Sequence, residues 1–563
     1  MKGGNVESRP VASGQRADGL FGNGVRPVMT DGLDRIVAAP VTRRAVAGIA
    51  MGALLSCARP SDAETSNDAG SAPQAGSQEG AGLPSVGLFA EAGQARFPPS
   101  ATVVRTSGFA SAGVGAATYV HDTAVTRDYV SQHPLSAFLA ADGRGFRLHV
   151  AGAIDPQMLG LRLGLGQGQA RGNREAITEA LHLSRNVLLP AGDIDFDTDG
   201  AFVLPPLDGM EIAGRGWATH IVTRDSAFML PTLSRLTIRD LWIEQTATSN
   251  APIQSFHVNL RDIRLLRLKI TMRDQATYRN NCIGLVMDNS PPGGDGVVGL
   301  KGLLVEDCWL APGRMGMEIQ NHRPGDDKQK LYAYRDVTVR GCTIWKAPAF
   351  MGMGISLSGW GTDCLVRHNR FVACHNANVE IIGSDRTTVA DNVFEDAIGV
   401  PVTASNFRVV SGCRILRNRT AGKLPRVLLY LQAMDGAEVA GNVMGTTGTI
   451  IVKGANIRIH DNTFNGVGTT QLMQLDNARG VIVEKNRFVS TGAAPPQSMV
   501  IAFNDTRGCT IRLNRMERAD NDEHRSEIWF FQVPPARGSV AYGNDRHGKG
   551  GRLMEPVPPK RAG

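Results

Sequence analysis

The chain is predicted to be an all-β solenoid, a right-handed parallel β-helix, and three observations carry that expectation. A hexapeptide recurs through the second half of the chain: apolar, any, any, small or polar, any, apolar. Its copies include V-R-H-N-R-F (366–371), V-A-D-N-V-F (389–394), I-H-D-N-T-F (459–464) and V-E-K-N-R-F (483–488). The fourth position is Asn369, Asn392, Asn418, Asn442, Asn462, Asn486, Asn514 and Asn544, with Leu241, Leu268, Cys308 and Cys342 in earlier copies. Subtraction gives steps of about 23, 26, 24, 20, 24 and 28 residues from Asn369 to Asn514, a period that signals stacked repeats.

One asparagine per turn has a physical reason. Asparagine tolerates the left-handed backbone of a sharp bend, and the fourth position is therefore expected to adopt it. Stacked about 4.8 Å from the next, its amide can also bond along the column. Glycine is abundant, 65 of 563 residues, which suits a fold with several turns per coil. Net charge is +7, but residues 1–57 carry about +3 and 546–563 about +4, leaving a neutral body. Nothing in that balance argues for a nucleic-acid footprint, which would need basic residues clustered on the folded part. Cys308 and Cys342 stand at equivalent turn positions and are expected as stacked free thiols, pairing being the alternative.

The chain then divides in order. Residues 1–57 form an extension plus an export signal, with its core at 42–57. Arg43 and Arg44 precede an apolar run of eleven residues, too short to span a bilayer but right for a signal core. The pair suggests twin-arginine export. Leu54-Leu55-Ser56-Cys57 is similar to a lipobox, which would make Cys57 a lipidated membrane anchor. An ordinary cleavable signal is the alternative. Residues 58–84 read as a flexible linker, 85–150 as a small β module, 151–545 as the β-helix and 546–563 as a disordered basic tail. Asn173 is expected to N-cap a helix with Ala176, Ile177, Ala180 and Leu181 on its inner face. That helix would cover the open end of the first coil.

With its asparagine column, capping helix and following strands, the chain resembles the right-handed β-helix proteins of the pectate lyase superfamily. The resemblance implies that the strand before each asparagine pair joins one long sheet whose outer face binds a polysaccharide. If Ile319, Ile355, Ile381, Val402, Leu429 and Ile451 face inward, alternation puts Glu318, Gln320, Ser356, Ser358, Glu380, Thr403, Ser405, Tyr430, Gln432, Lys453, Gln474, Asn504 and Trp529 outward. Ser356, Tyr430, Gln432, Lys453 and Trp529 are the candidate sugar contacts. A merely solvated face is the competing reading. Glu318 and Glu380 lie two coils apart, the span of an inverting acid/base pair.

The loop at 321–328 contains His322, Arg323 and Gly325-Asp326-Asp327, similar to the Gly-Asp-Asp of polygalacturonases, but that family's Asn-Thr-Asp and Gly-His-Gly are absent. For β-elimination instead, His322 or Tyr430 is the candidate base and Arg323, Lys328, Arg386 or Lys453 the cation. By the same resemblance, Asp326, Asp327 and Asp385 are candidates for a calcium ion, the one cofactor considered. The expectation is an exported, monomeric enzyme that cleaves an acidic polysaccharide by elimination or hydrolysis. A non-catalytic, envelope-anchored rod or glycan binder is the alternative.

Overall fold

The computed structural model describes residues 83–547, except 167, 288–298, 322–332, 349–351, 405–407, 468–470, 492–497, 519–526 and 532–537. The export signal with Arg43, Arg44 and Cys57, the loop residues His322, Arg323, Asp326, Asp327 and Lys328, Ser405, and nearly all of the linker and tail lie outside the described residues.

Successive coils stack in parallel. Two long sheets run along the solenoid, one of 26 strands, which joins two strands from each typical coil, and one of 14, which takes the third. This is a right-handed parallel β-helix. Each coil lays its apolar residues on those of the next: Met317, Ile355, Val379, Val402 and Leu429 form one fully buried column. Burying such a side chain contributes about 1.5–3 kcal/mol, and the contact repeats at every coil. Phe371 stacks on Phe394 with ring centroids 5.3 Å apart.

The asparagine column is real and sits inside the winding. Asn392 Nδ2 donates to Asn418 Oδ1 at 3.0 Å, Asn418 to Asn442 at 3.0 Å and Asn442 to Asn462 at 2.8 Å. Each Oδ1 also accepts the backbone N–H of the asparagine one coil earlier, for example Asn392 N to Asn418 Oδ1 at 3.0 Å. The column extends from Asn369 to Asn544. At its start the thiols continue it: Cys342 N donates to Asn369 Oδ1 at 2.9 Å and Cys308 N to Cys342 Sγ at 3.5 Å. The seven described cysteines are all free and buried, as the stacking reading expected.

The bend itself falls one residue earlier than expected. The left-handed positions are His368, Asp391, Arg417, Asp461, Lys485 and Leu513, with φ between 50° and 56°. Asparagine is thus chosen for its amide, and the preceding residue takes the strain. Leu513 is the misfit among them, half exposed with φ 55°. A left-handed residue with a Cβ costs roughly 1–2 kcal/mol, less for asparagine. Leu513→Asn is expected to raise stability by about 0.5–1 kcal/mol, read as a higher urea midpoint.

Before the coils, a five-stranded sheet spans Ser85–Leu88 to Gly145–Leu148, and its core holds Phe97, Tyr119, Phe138 and Phe146. The helix Ala170–Ser184 buries Ala176, Ile177, Ala180 and Leu181 against the first coil, where Val187 and Ile194 belong to the same core. Asn173 is not its N-cap. The helix starts at Ala170, and Asn173 is buried inside its first turn, accepting from Arg162 N at 2.8 Å and donating to Asp195 O at 3.1 Å. It ties helix to coil.

Candidate functional site

The register of the groove sheet sets one outward row in order: Glu318, Ser356, Glu380, Thr403, Tyr430, Ile451, Gln474, Ile501 and Trp529. Ile451 was expected inward. A register shift between Val427 and Leu429 pairs Tyr430 with Ile451, so Ile450 and Val452 fill the core instead.

Glu318 and Glu380 are two strand spacings apart, about 9.6 Å from coil to coil, with Ser356 between them. Their surroundings differ. Glu380 is only 8% exposed, and Ser356 Oγ donates to its Oε2 at 2.8 Å. Burial raises the Glu380 carboxyl from its ordinary 4.5 to about 7; the Ser356 bond opposes that shift, nearby Glu318 adds to it, and Arg314 opposes it. Desolvation wins because one neutral donor and a partly distant cation do not replace lost water. Glu318 is half-buried and accepts Asn281 Nδ2 at 2.7 Å.

Further along, Tyr430 OH donates to Gln432 Oε1 at 2.8 Å, and burial pushes the phenol above its usual range. Lys453 Nζ lies 2.9 Å from Asp476 Oδ2, and Asn504 Nδ2 donates to Asp476 Oδ1 at 2.6 Å. Tyr430, Gln432 and Lys453 therefore gather into one polar cluster, while Trp529 stands half-buried at the far end of the row. Asp476, Asn281 and Arg314 were missed. Alternation from Gln474 would have found Asp476. Asn281 precedes the strand Ile283–Met287 in a coil without the hexapeptide asparagine, so no pattern marks it.

Arg386 is not a groove cation. It occupies a left-handed turn, φ 47°, in a column with Asp363 one coil earlier, and its Nε and Nη2 donate to the two Asp363 oxygens at 2.7 and 2.8 Å. The turn needed a left-handed residue, and the side chain bridges coils. Exposed pairs of this kind contribute about 0.2–1 kcal/mol, so Arg386→Gln is expected to lower stability by no more than that amount, checked by urea titration. Asp385 is likewise structural. Its Oδ1 accepts Ser411 N at 2.8 Å and Arg408 Nη1 at 3.2 Å. A carboxylate already paired to a guanidinium is a poor calcium ligand, and among the described residues no group of three or more His, Cys, Asp or Glu could hold a metal ion.

Fold and site together define a β-helix with ionisable groups along one outer sheet, and comparison with known proteins agrees on the fold. Residues 330–516 match the family described as right handed beta helix region. No curated protein sequence matches. Among solved structures, the chain is similar to the GH136 lacto-N-biosidase of Eubacterium ramulus (10% identity, 60% of this chain and 63% of that one, TM-score 0.34). It is also similar to tailspike protein gp49 of Acinetobacter baumannii bacteriophage Fri1, a capsular polysaccharide depolymerase (14%, 84% and 76%, TM-score 0.44), and to pre-mature bacteriophage phi29 gene product 12 (11%, 71% and 57%, TM-score 0.46). The chain thus spans less than two thirds of the first and third of these.

Proposed function

We propose that the chain hydrolyses a polysaccharide laid along the groove sheet, with inversion at the reacting carbon. Glu380 acts as general acid and gives its proton to the leaving glycosidic oxygen. Glu318 acts as general base and takes a proton from the water that attacks the opposite face of the sugar. The observation that carries this reading is the pair itself: two carboxylates on one row, two coils apart, in different surroundings. Such a pair divides into acid and base, and its backbone span of about 9.6 Å sits at the upper edge of the roughly 6.5–9.5 Å between carboxyl groups that leaves room for a water.

Arg314 brings positive charge near Glu380, which suits an acidic chain, while Lys453, three coils further on, is already paired with Asp476. Elimination is less well supported. Among the described candidates, Arg386 is held by Asp363 and Lys453 by Asp476, and the Tyr430 phenol, pushed upward, stays protonated and is a poor base; His322, Arg323 and Lys328 lie outside the described residues. The paired arginines Arg43 and Arg44, the apolar run and Cys57 support action outside the cytoplasm.

The test is incubation of the purified chain with polygalacturonate, alginate and hyaluronan. New reducing ends without ultraviolet absorbance from an unsaturated product are expected. Glu318→Gln is expected to lower turnover by at least a hundredfold. An absorbing product, or full activity in that variant, contradicts the reading.

A further inference from the structure

Four of the chain's six tryptophans gather on one face, the outer side of the 14-stranded sheet. Trp242 and Trp309 occupy one outward row, with Lys269 between them in register, and their neighbours Ile243 and Leu310 lie in the core. Trp345 follows one coil later and stacks on Trp309 with ring centroids 5.5 Å apart. Trp217, in the turn before the strand Thr219–Thr223, is 49% exposed, and its Nε1 donates to Arg267 O, two coils on, at 3.3 Å. The strip covers four strand spacings, about 19 Å. The coil itself does not require these rings, because later positions of the same row hold Thr343, Arg370, Thr463 and Arg487.

The charges on this face are also uneven. Arg370 pairs with Glu395 and Arg487 with Glu517, each at 2.7 Å. Lys269 and Lys346 have no carboxylate partner among the described residues. Lys269 Nζ instead lies 3.6 Å from the Trp242 ring centroid and 5.6 Å from that of Trp217, and Lys346 Nζ lies 5.4 Å from that of Trp345. Lys269 thus leans back from Trp309, whose second face meets no ring or cation among the described residues. The rings are held in place. Trp242 is clamped between Lys269 and His220, which stacks at 3.7 Å, and Gln275 Nε2 donates to the carbonyls of Trp345 and Lys346 at 3.1 and 2.9 Å. Side chains fixed in advance lose little freedom on binding.

We propose that this face is a second glycan site, which holds an acidic polysaccharide along the solenoid. Trp217 and the second face of Trp309 take the flat C–H faces of sugar rings, while Lys269 and Lys346 take carboxylates. A uronate chain offers both in every unit, and one pyranose is about as long as one strand spacing, about 4.8 Å. The site lies on a different sheet from Glu318 and Glu380 and does not rest on the roles given to them.

The test is electrophoresis of the full chain, Trp217→Ala and Lys346→Gln through gels containing polygalacturonate, alginate or neutral dextran, with thermal unfolding and sedimentation measured alongside. In the acidic gel that most retards the wild-type chain, each variant is expected to bind about fivefold more weakly. Lys346→Gln is expected to unfold at the wild-type temperature, so that its loss reads the site and not the fold. Unchanged retardation of either variant, equal retardation of wild type in dextran, or no retardation of wild type in either acidic gel overturns the proposal. Self-association of the wild-type chain that Trp217→Ala abolishes also overturns it, because a second copy would then cover the face. Weakened binding by both variants in a chain that hydrolyses none of the polymers overturns the catalytic reading alone.

Discussion

Asn418→Ala is expected to destabilise the solenoid by about 4 kcal/mol. Asn418 is fully buried. Its Oδ1 accepts both Asn392 N and Asn392 Nδ2, each at 3.0 Å, and its Nδ2 donates to Val389 O at 2.8 Å. Alanine leaves those two donors and that carbonyl short of a partner in the core, at roughly 1–3 kcal/mol for each group left unsatisfied. Asn442 Oδ1 keeps the backbone N–H of residue 418, now 2.8 Å away, so the damage runs toward the earlier coils. Asn544, at the end of the column and only part-buried, should cost about 1–2 kcal/mol on the same reasoning. Urea titration followed by circular dichroism checks both. A loss below 1 kcal/mol at Asn418 would mean the column contributes little.

Glu380→Gln is expected to do two opposite things. Turnover should fall at least a thousandfold, because Gln cannot donate the proton to the leaving oxygen. Stability should rise, by an amount that grows from about pH 4.5 and levels off just above pH 7. The folded carboxyl titrates at about 7 against 4.5 ordinarily. A raised folded value means the contribution is complete below pH 4.5 and is lost as pH climbs through 7. Wild type is thus weakened by about 3 kcal/mol at pH 8, the equivalent of that displacement. Gln carries no charge to desolvate and still accepts from Ser356. The two proteins should therefore unfold at nearly the same temperature at pH 4.5, and the variant should unfold higher at pH 8. In wild type, turnover should fall on the alkaline side with a midpoint near 7, where the acid loses its proton. A pH-independent difference in unfolding temperature would remove the burial argument.

The sequence made the fold legible because each coil writes the same chemistry. The hexapeptide fixes which residue faces in, and the amide column needs asparagine at one place. Its error about the left-handed bend arose because asparagine suits both jobs. The residues that actually bend, such as Arg417, Lys485 and Leu513, carry no signature. Strand parity located Glu318, Ser356, Glu380 and Tyr430 correctly, but it fails across a bulge, so Ile451 was turned the wrong way by the slip after Val427. The role of Arg386 was hidden for a related reason: its turn lacks the glycine that marks Gly412 and Gly436 in later coils.

The most direct test of the proposed chemistry is the titration of one carboxyl. Infrared difference spectra of wild type against Glu380→Gln, collected from pH 4 to 9, isolate the Glu380 side chain. The account predicts a carboxyl band that gives way to carboxylate with a midpoint near 7. A midpoint in the ordinary range, about 4.3, would contradict it, because Glu380 would then hold no proton to give at neutral pH.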